Sequence, residues 1–296
     1  MYYDDETLIY LDGNWVKAAE AKADLFCQTL HYGLGAFEGI RSYATPEGPH
    51  IFKAHEHFER LILSSKKIHV NLALSSHEFT EICYELLSRN NLTNAYIRPL
   101  VYMGANMALT PSNTHHIMIA AWEWGKYLGS QPLDVEISSY QRPNPKAFPM
   151  EAKIVGHYSN SILASTEAKA KGYDEALLLD GQGFVAEGPG ANFFYEKNEV
   201  LYTPPLGNIL PGITRATIME YAREMGYRVV EKLFTPEDLT DIDSAFFTGT
   251  ATEVTGIRSI DGKAVKLDWE DSIGYSLFLM YRQRVINKEI QDFTLV

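Results

Sequence analysis

The stretch Leu210-Pro211-Gly212-Ile213-Thr214-Arg215 indicates how the second half of this chain folds. Helical spacing runs from residue 214 to residue 225, and Gly226 stands where that spacing ends. A helix that begins after Pro-Gly with a Ser or Thr cap presents free N–H groups and the positive end of its dipole to an anion, typically a phosphate. We therefore predict a helix with a threonine hydroxyl at its entry and an anion site at its N-terminus.

Two further segments and one lysine accompany this helix start. Val185-Ala-Glu187-Gly-Pro-Gly-Ala-Asn-Phe193 lies upstream, and Thr248-Gly-Thr-Ala-Thr-Glu253 lies downstream. Lys153 precedes an apolar stretch. A lysine, a carboxylate and a phosphate cradle are the components that a pyridoxal phosphate site requires. Taken alone, Lys153 is more readily interpreted as a surface lysine entering a helix, and Glu187 as a turn glutamate that faces water.

Two cationic residues are candidates for binding anionic groups. Arg60 lies in a predicted amphipathic helix, 54–68, where its planar fork could bind phosphate or pair with Glu56 or Glu59. Tyr96 and Arg98 alternate in a predicted strand and share one face, which suits carboxylate binding and equally suits a solvated edge pair. Both alternatives stay open for each residue.

Several other residue types bear on the site. Glycine at positions 33, 35 and 39 indicates close approach of the backbone, but the spacing is not a dinucleotide-binding fingerprint. The nine histidines show no metal-ligand pattern, so we expect no metal site. The following aromatic residues could line an apolar pocket or belong to the core: Tyr32, Phe37, Trp122, Trp124 and Tyr127.

Composition limits the partners of the chain. Hydrophobic residues make up 46% of its 296 residues, charged residues make up 22%, and the net charge is −12. This charge argues against nucleic acid or an anionic membrane as a partner. Cys27 and Cys83 are far apart and form no Cys-x-x-Cys motif, and no signal peptide or membrane-spanning run is evident. We expect a cytoplasmic protein.

The chain is expected to form two domains of mixed helices and strands. Glycine and proline become frequent from Lys126 to Pro149, so we predict a domain at 1–125, an interdomain loop at 126–133 and a domain at 134–296. Asp12-Gly13-Asn14 predicts a hairpin after a strand at 8–11. Further strands are predicted near 95–103, 116–124, 135–140, 175–180, 227–234 and 244–248, and further helices near 76–87, 159–171 and 270–289.

In their order along the chain, these segments resemble the class IV pyridoxal phosphate aminotransferases, most closely the branched-chain amino acid aminotransferases. The similarity covers nearly the whole chain, and the ordered set is specific although each motif alone is weak. The matching segments are His31-Tyr-Gly-Leu-Gly-Ala-Phe-Glu-Gly-Ile-Arg-Ser-Tyr43, Phe58-Glu-Arg-Leu61, Ala95-Tyr-Ile-Arg-Pro-Leu100, Trp124-Gly-Lys-Tyr-Leu-Gly129, Ala152-Lys153 with Tyr158, Ala186-Glu-Gly188, Leu210-Pro-Gly-Ile-Thr-Arg215 and Gly249-Thr-Ala251.

The resemblance implies an α/β fold with mixed sheets, the two-domain fold type IV, with pyridoxal 5'-phosphate between a small N-terminal and a larger C-terminal domain. It implies that Lys153 forms the Schiff base and shuttles the proton, that Glu187 binds the pyridine nitrogen and that Tyr158 binds the ring hydroxyl. The other implied cofactor contacts are Arg60, Leu210, Gly212, Ile213, Thr214, Gly249 and Thr250.

The resemblance also implies the substrate contacts. Tyr96, with the turn at Thr250-Ala251, would bind the α-carboxylate, and Arg98 would bind the distal carboxylate of glutamate. The side-chain pocket would be formed by Phe37, Gly39, Trp124, Tyr127 and Tyr32, the last of which could come from the partner subunit. A homodimer or a higher homo-oligomer is therefore expected.

Two departures from the family pattern affect the substrate range. Ala191 stands where the family usually has glutamate, and the 103–112 loop is shorter than in the family and lacks its Gly-Val-Asn-Pro pattern. The main hypothesis is amino transfer between leucine, isoleucine or valine and 2-oxoglutarate. The alternatives are a D-amino acid or (R)-amine transaminase, an aminodeoxychorismate lyase of the same fold, and a non-enzymatic module that binds a phosphorylated ligand.

Overall fold

The structure is a computed structural model that describes residues 2–125, 128–129 and 131–286. Its contacts divide the chain into a first unit, 1–125, 152–157 and 285–296, and a second unit, 126–151 and 158–284. The first unit therefore includes the short segment around Lys153, which composition alone did not indicate. Among the described residues, no helix combines the length and the hydrophobicity needed to cross a membrane.

The first unit contains one antiparallel sheet with its two longer helices on one face. Its strands are β1 Leu8–Leu11, β2 Asn14–Lys17, β3 Gly35–Phe37, β4 Ile40–Thr45, β5 Gly48–Ile51, β6 Ala95–Met103 and β7 His115–Trp122. Its helices are α1 Gln28–Tyr32, α2 Ala54–Lys67 and α3 Ser76–Arg89. The strand order is β2-β1-β7-β6-β4-β5, and β3 also pairs with β6. The predicted hairpin at Asp12–Asn14 is confirmed, because β1 pairs directly with β2.

The core of the first unit shows which face of its sheet packs against the helices and which face does not. Phe58 and Leu61 of α2 and Phe79 of α3 are fully buried and pack in one cluster with Ile97 of β6 and Ile119 of β7. Neighbouring residues of a strand point to opposite faces. The residues that alternate with these core positions therefore lie on the sheet face away from α2 and α3.

The second unit contains a larger sheet that closes on itself. Its strands are β8 Leu133–Gln141, β9 Glu175–Leu179, β10 Val185–Glu187, β11 Asn192–Lys197, β12 Val200–Thr203, β13 Arg228–Glu231, β14 Ser244–Gly249, β15 Glu253–Ile260 and β16 Lys263–Ala264. The order is β10-β9-β8-β15-β14-β11-β12-β13, and β16 pairs with β15. An additional pairing of β10 with β11 closes six of these strands into a ring.

Three helices accompany this sheet: α4 Tyr158–Ala170, α5 Ile213–Glu224 and α6 Ile273–Ile286. The helix predicted after Pro211 is confirmed as α5, and Gly226, with φ of 84°, follows its end. The predicted threonine cap is wrong. Gly212 is the N-cap residue and supplies no side-chain cap, while Thr214 already lies inside the first turn. Strand β15 was not predicted, because Gly256 and Arg258 interrupt its apolar pattern.

Candidate active site

Lys153 lies in a short extended segment whose backbone is fixed on both sides. Its N–H donates to Ser64 Oγ at 2.9 Å, and its carbonyl accepts from the Phe37 N–H at 3.1 Å. Ala152 and Ile154 on either side are buried in the core of the first unit. The Lys153 side chain is half-buried, and its Nζ lies 4.9 Å from the centre of the Phe37 ring. These contacts distinguish Lys153 from a solvated surface lysine.

Arg60 pairs with a carboxylate that the sequence interpretation did not consider. Its Nε donates to Glu38 Oε1 at 2.7 Å, and its Nη2 donates to Glu38 Oε2 at 3.0 Å. Glu38 is fully buried between Phe37 and Gly39. The partners predicted from the sequence, Glu56 and Glu59, are close to Arg60 along the chain. The partner instead comes from the link between β3 and β4, 22 residues away.

His57 completes this buried charge cluster. Its Nδ1 lies 2.7 Å from Glu38 Oε2. Burial raises the pKa of Glu38, but Arg60 and His57 outweigh that effect and hold the pKa well below its usual value. Burial lowers the pKa of His57, and the neighbouring Glu38 offsets this only in part. The cluster therefore contains an ionised Glu38 and a neutral His57, whose Nδ1–H donates to the carboxylate.

Tyr96 and Arg98 lie on the sheet face away from the helices. Tyr96 is directly opposite Trp122, and Arg98 is directly opposite Ala120, in the antiparallel pair β6–β7. Directly opposite residues point to the same face. The Arg98 guanidinium lies 4.7 Å from the Phe37 ring centre and 5.5 Å from the Tyr96 ring centre.

Trp124 and Gly39 fix the Tyr96 ring. Trp124 packs edge-on against Tyr96 with ring centres 4.6 Å apart. A Cβ atom at Gly39 would lie 1.9 Å from the Tyr96 hydroxyl, so only glycine permits this approach. Arg41 donates to the carbonyls of Trp124 and Gly125 at 3.3 and 3.0 Å and holds the end of that segment. The first unit thus brings Phe37, Gly39, Tyr96, Arg98 and Trp124 together.

A cavity of about 390 Å³ lies beside Arg98. Its floor is the same sheet face, with Ile9 and Ala120, and the apolar Ala18 follows β2 at its side. The rest of its lining is Tyr2, Tyr3, Thr7, Ala121, Trp122 and Trp124. Within the described part of the chain, the buried Nε of Arg98 has no hydrogen-bond partner. An unpaired buried cationic donor is costly, so this cavity favours an anionic group next to an apolar one.

Of the two remaining predicted pocket residues, Tyr32 and Tyr127, the structure describes only Tyr32. Tyr32 ends α1, is 48% exposed, and its hydroxyl donates to the Met107 carbonyl at 3.2 Å. Tyr127 lies outside the described residues.

In the second unit, Glu187 is buried and fully engaged by donors. Oε1 accepts from Arg142 Nη2 at 2.9 Å and from the Leu210 N–H at 3.1 Å, and Oε2 accepts from Asn192 Nδ2 at 2.9 Å. The carboxylate therefore does not face open water. Arg142 was not found by sequence reasoning, because it follows a strand in a proline-rich segment and nothing local links it to Glu187. The guanidinium and the amide donors stabilise the negative charge of Glu187.

Three predicted motifs of the second unit meet around Asn192. Glu187, Asn192 and Thr248 are directly opposite one another on β10, β11 and β14, and so form a row on one face. Asn192 Nδ2 also donates to the Leu210 carbonyl at 2.9 Å. A Cβ atom at Gly212 would lie 1.9 Å from Asn192 Oδ1, so the start of α5 requires glycine here.

The same region offers hydrogen-bond donors for an anion. The N-cap residue of α5 is Gly212, which has no side chain to accept hydrogen bonds from the first N–H groups of the helix, those that begin at Ile213 and Thr214. The turn Gly249-Thr250-Ala251 follows β14, and the hydroxyls of Thr248 and Thr252 on its two sides are buried without a partner among the described residues. Tyr158 is the first residue of α4. Helix N–H groups and hydroxyls of this kind fit a phosphate.

Comparison with known proteins identifies the family of this chain. The family described as amino-transferase class IV matches residues 35–260. A branched-chain-amino-acid aminotransferase from Pseudomonas aeruginosa is 42% identical over 268 residues, which cover 88% of this chain and 87% of that protein.

Solved structures are similar over almost the full length. The branched-chain aminotransferase of Thermoproteus uzoniensis with norvaline has a TM-score of 0.92 and 37% identity, and the match covers 96% of each chain. The branched-chain amino acid aminotransferase of Thermobaculum terrenum in its PLP-form has a TM-score of 0.90 and 30% identity, and the match covers 98% of this chain and 97% of that chain. The fold is therefore the predicted α/β fold type IV, and the chain belongs to the class IV aminotransferases.

Proposed function

We propose that this chain is a pyridoxal phosphate-dependent transaminase that moves the amino group between leucine, isoleucine or valine and 2-oxoglutarate. The observation that carries the proposal is the face of β6 and β7, where Arg98 adjoins an apolar, aromatic-lined cavity. One such cavity can accept an aliphatic side chain and pair the second carboxylate of glutamate. The relatives that act on branched-chain amino acids support the same conclusion and do not favour the D-amino acid, (R)-amine, lyase or non-enzymatic alternatives.

The residues of the chain fit pyridoxal 5'-phosphate. When bound, this cofactor supplies an electron sink for negative charge at the substrate Cα. We assign Lys153 the covalent attachment of the cofactor and the transfer of the Cα proton. Glu187 would hold the proton on the pyridine nitrogen. The other proposed cofactor contacts are Arg60, Tyr158, Leu210, Gly212, Ile213, Thr214, Gly249 and Thr250.

For the substrate, Tyr96 with Thr250-Ala251 would bind the α-carboxylate, and Arg98 would bind the distal carboxylate. We assign the apolar wall to Phe37, Gly39 and Trp124. Tyr32 and Tyr127 belong to this proposal as predicted pocket residues. The unpaired Arg98 Nε supports an anionic partner at that position.

The substitution Arg98→Leu tests the dual-substrate function. We expect the half-reaction with glutamate or 2-oxoglutarate to slow by about 10²-fold or more, because a buried charge that loses its partner costs roughly 3–5 kcal/mol. The half-reaction with leucine should change little, since its side chain needs only the apolar wall. Stopped-flow absorbance measures the two half-reactions separately. Arg98→Lys, which keeps the charge, is the matched control, and its half-reaction with glutamate should slow less than that of Arg98→Leu. Equal slowing of the glutamate and leucine half-reactions in Arg98→Leu would contradict the assignment.

We also propose a homodimer. Large apolar side chains are exposed around α1 and in the loop after β6; they are Leu25, Phe26, Leu30, Tyr32, Met107 and Leu109. The loop is nonetheless fixed, because Gln28 Nε2 donates to the carbonyls of Ala108 and Thr110 at 2.9 and 2.7 Å. A fixed, contiguous apolar surface of this kind is typical of a protein interface. The cytoplasmic location expected from composition stays a prediction.

The dimer proposal predicts a mass of twice the 33.4 kDa chain in light scattering. Leu109 is 90% exposed. Leu109→Asp should convert the dimer to monomer at micromolar concentration, because it places a charge in an interface expected to bury more than about 1,200 Å². Leu63→Asp, at an exposed position of α2, is the control and should leave the dimer intact. A wild-type monomer with full activity would overturn the proposal.

A further inference from the structure

Helix α2 presents three polar side chains along one side that is otherwise packed into the core. His57, Arg60 and Ser64 are spaced by three and four residues, so they lie above one another on the helix. His57 and Ser64 are fully buried, and the Arg60 side chain is 12% exposed. Polar groups in such a position are costly unless each has a partner.

Glu38 is the partner that fixes Arg60. Both of its oxygens are used: Oε1 accepts from Arg60 Nε, and Oε2 accepts from Arg60 Nη2, from His57 Nδ1 and from the Gly39 N–H. The two parallel bonds from the guanidinium define its plane as well as its position. Since Glu38 is fully buried and also held by His57, the guanidinium has little freedom to rotate.

The elements that hold Arg60 also hold Lys153. Ser64, one turn after Arg60, accepts the Lys153 N–H at 2.9 Å. Phe37, which immediately precedes Glu38, donates its N–H to the Lys153 carbonyl at 3.1 Å. Helix α2 and the β3 edge therefore fix the spacing between the guanidinium of Arg60 and the backbone that carries the Lys153 amine.

We propose that Glu38 is a positioning residue for the cofactor phosphate: supported by His57, it holds Arg60 at a fixed place relative to Lys153. This inference rests on the proposed function, in which Arg60 contacts the phosphate. Glu38 does not itself touch the phosphate, and its negative charge partly offsets that of Arg60. Its contribution is the orientation of the guanidinium, and orientation affects only ligands that carry the phosphate.

The test compares two ligands of the apoenzyme, pyridoxal 5'-phosphate and pyridoxal, which lacks the phosphate. In Glu38→Gln we expect the affinity for pyridoxal 5'-phosphate to fall about 10- to 100-fold, as for loss of an oriented charge-assisted contact. The affinity for pyridoxal should stay within about twofold. Absorbance titration gives both constants, and circular dichroism reports folding. Glu85→Gln, which disrupts a surface pair with Arg89 on α3, is the matched control and should change neither affinity.

Each other outcome is decisive. Equal losses for both ligands, no change, or tighter binding of pyridoxal 5'-phosphate would overturn the inference. If Glu38→Gln does not fold, Glu38→Asp serves as the test variant, because aspartate keeps the charge but is too short to hold both nitrogens of Arg60. Glu38→Asp should show the same selective loss of affinity for pyridoxal 5'-phosphate. Unchanged affinities for both ligands would overturn the inference. Arg60→Leu distinguishes failure of the inference about Glu38 from failure of the proposed function. If it weakens phosphate-dependent binding while the Glu38 variants do not, only the inference fails; if wild type does not prefer the phosphorylated ligand, the proposed function fails.

Discussion

Lys153→Ala should abolish transamination and covalent attachment of the cofactor. Lys153 is the lysine whose backbone is fixed by Ser64 and Phe37 and whose amine lies over the Phe37 ring. An alanine there would remove the amine that we propose both as the nucleophile and as the group that moves the Cα proton. We expect turnover to fall at least about 10³-fold, because a positioned general base alone contributes roughly 10²–10⁴-fold.

The loss is measured in two ways. Purified wild type should show the visible absorption of lysine-bound cofactor, and borohydride should fix the cofactor to the protein as seen by mass spectrometry. Both signals should be absent in Lys153→Ala. Lys169→Ala, at an exposed position of α4, is the control and should retain them. A Lys153→Ala variant that keeps the absorption and the borohydride reaction would show that another lysine has this role.

Glu187→Gln should leave the cofactor bound but slow the removal of the Cα proton. A neutral side chain cannot keep the pyridine nitrogen protonated, so the ring accepts negative charge poorly. The NH2 group of the glutamine, itself a donor, would also face other donors, because Arg142, Asn192 and the Leu210 N–H all donate to the present carboxylate. Hydrogen bonds to charged groups contribute about 1.5–3 kcal/mol, which corresponds to a slowing of roughly 10- to 150-fold.

Single-turnover kinetics with leucine and with its Cα-deuterated form measure this effect. The rate should fall, and the deuterium isotope effect should become larger because proton removal limits the reaction. Glu175→Gln is the matched control: Glu175 is also buried in the second unit, and burial raises its pKa despite the hydrogen bond from Ser165. That variant should react normally. Unchanged turnover in Glu187→Gln would remove Glu187 from the proposed role.

Local patterns predicted the elements that depend on neighbouring residues. Asp12-Gly13-Asn14 specified its hairpin, and the amphipathic helix predicted at 54–68 is α2, in which Phe58 and Leu61 are buried. The motif at Leu210 to Arg215 predicted α5 but not its cap. Gly212 takes that position because it packs against Asn192, a contact between distant segments.

Pairs of charged residues were the part that local patterns could not predict. Glu38, between β3 and β4, pairs with Arg60 of α2, and Arg142, just after β8, pairs with Glu187 of β10. Neither pair has a helical or strand spacing, so no local pattern connects its members. Sheet register also decided which strand residues face one another, as in the row from Glu187 to Thr248. Such partners become visible only when the strand order is known.

A substrate panel with the purified wild-type enzyme tests the central claim most directly. L-Leucine, D-alanine and (R)-1-phenylethylamine are each offered as amino donor with 2-oxoglutarate as acceptor, and the formation of glutamate is measured. We expect kcat/KM for L-leucine to exceed that for the other two donors by more than about 100-fold, equivalent to about 2.7 kcal/mol in transition-state binding. A preference for D-alanine or for the amine, or no transfer from L-leucine to 2-oxoglutarate, would contradict the claim.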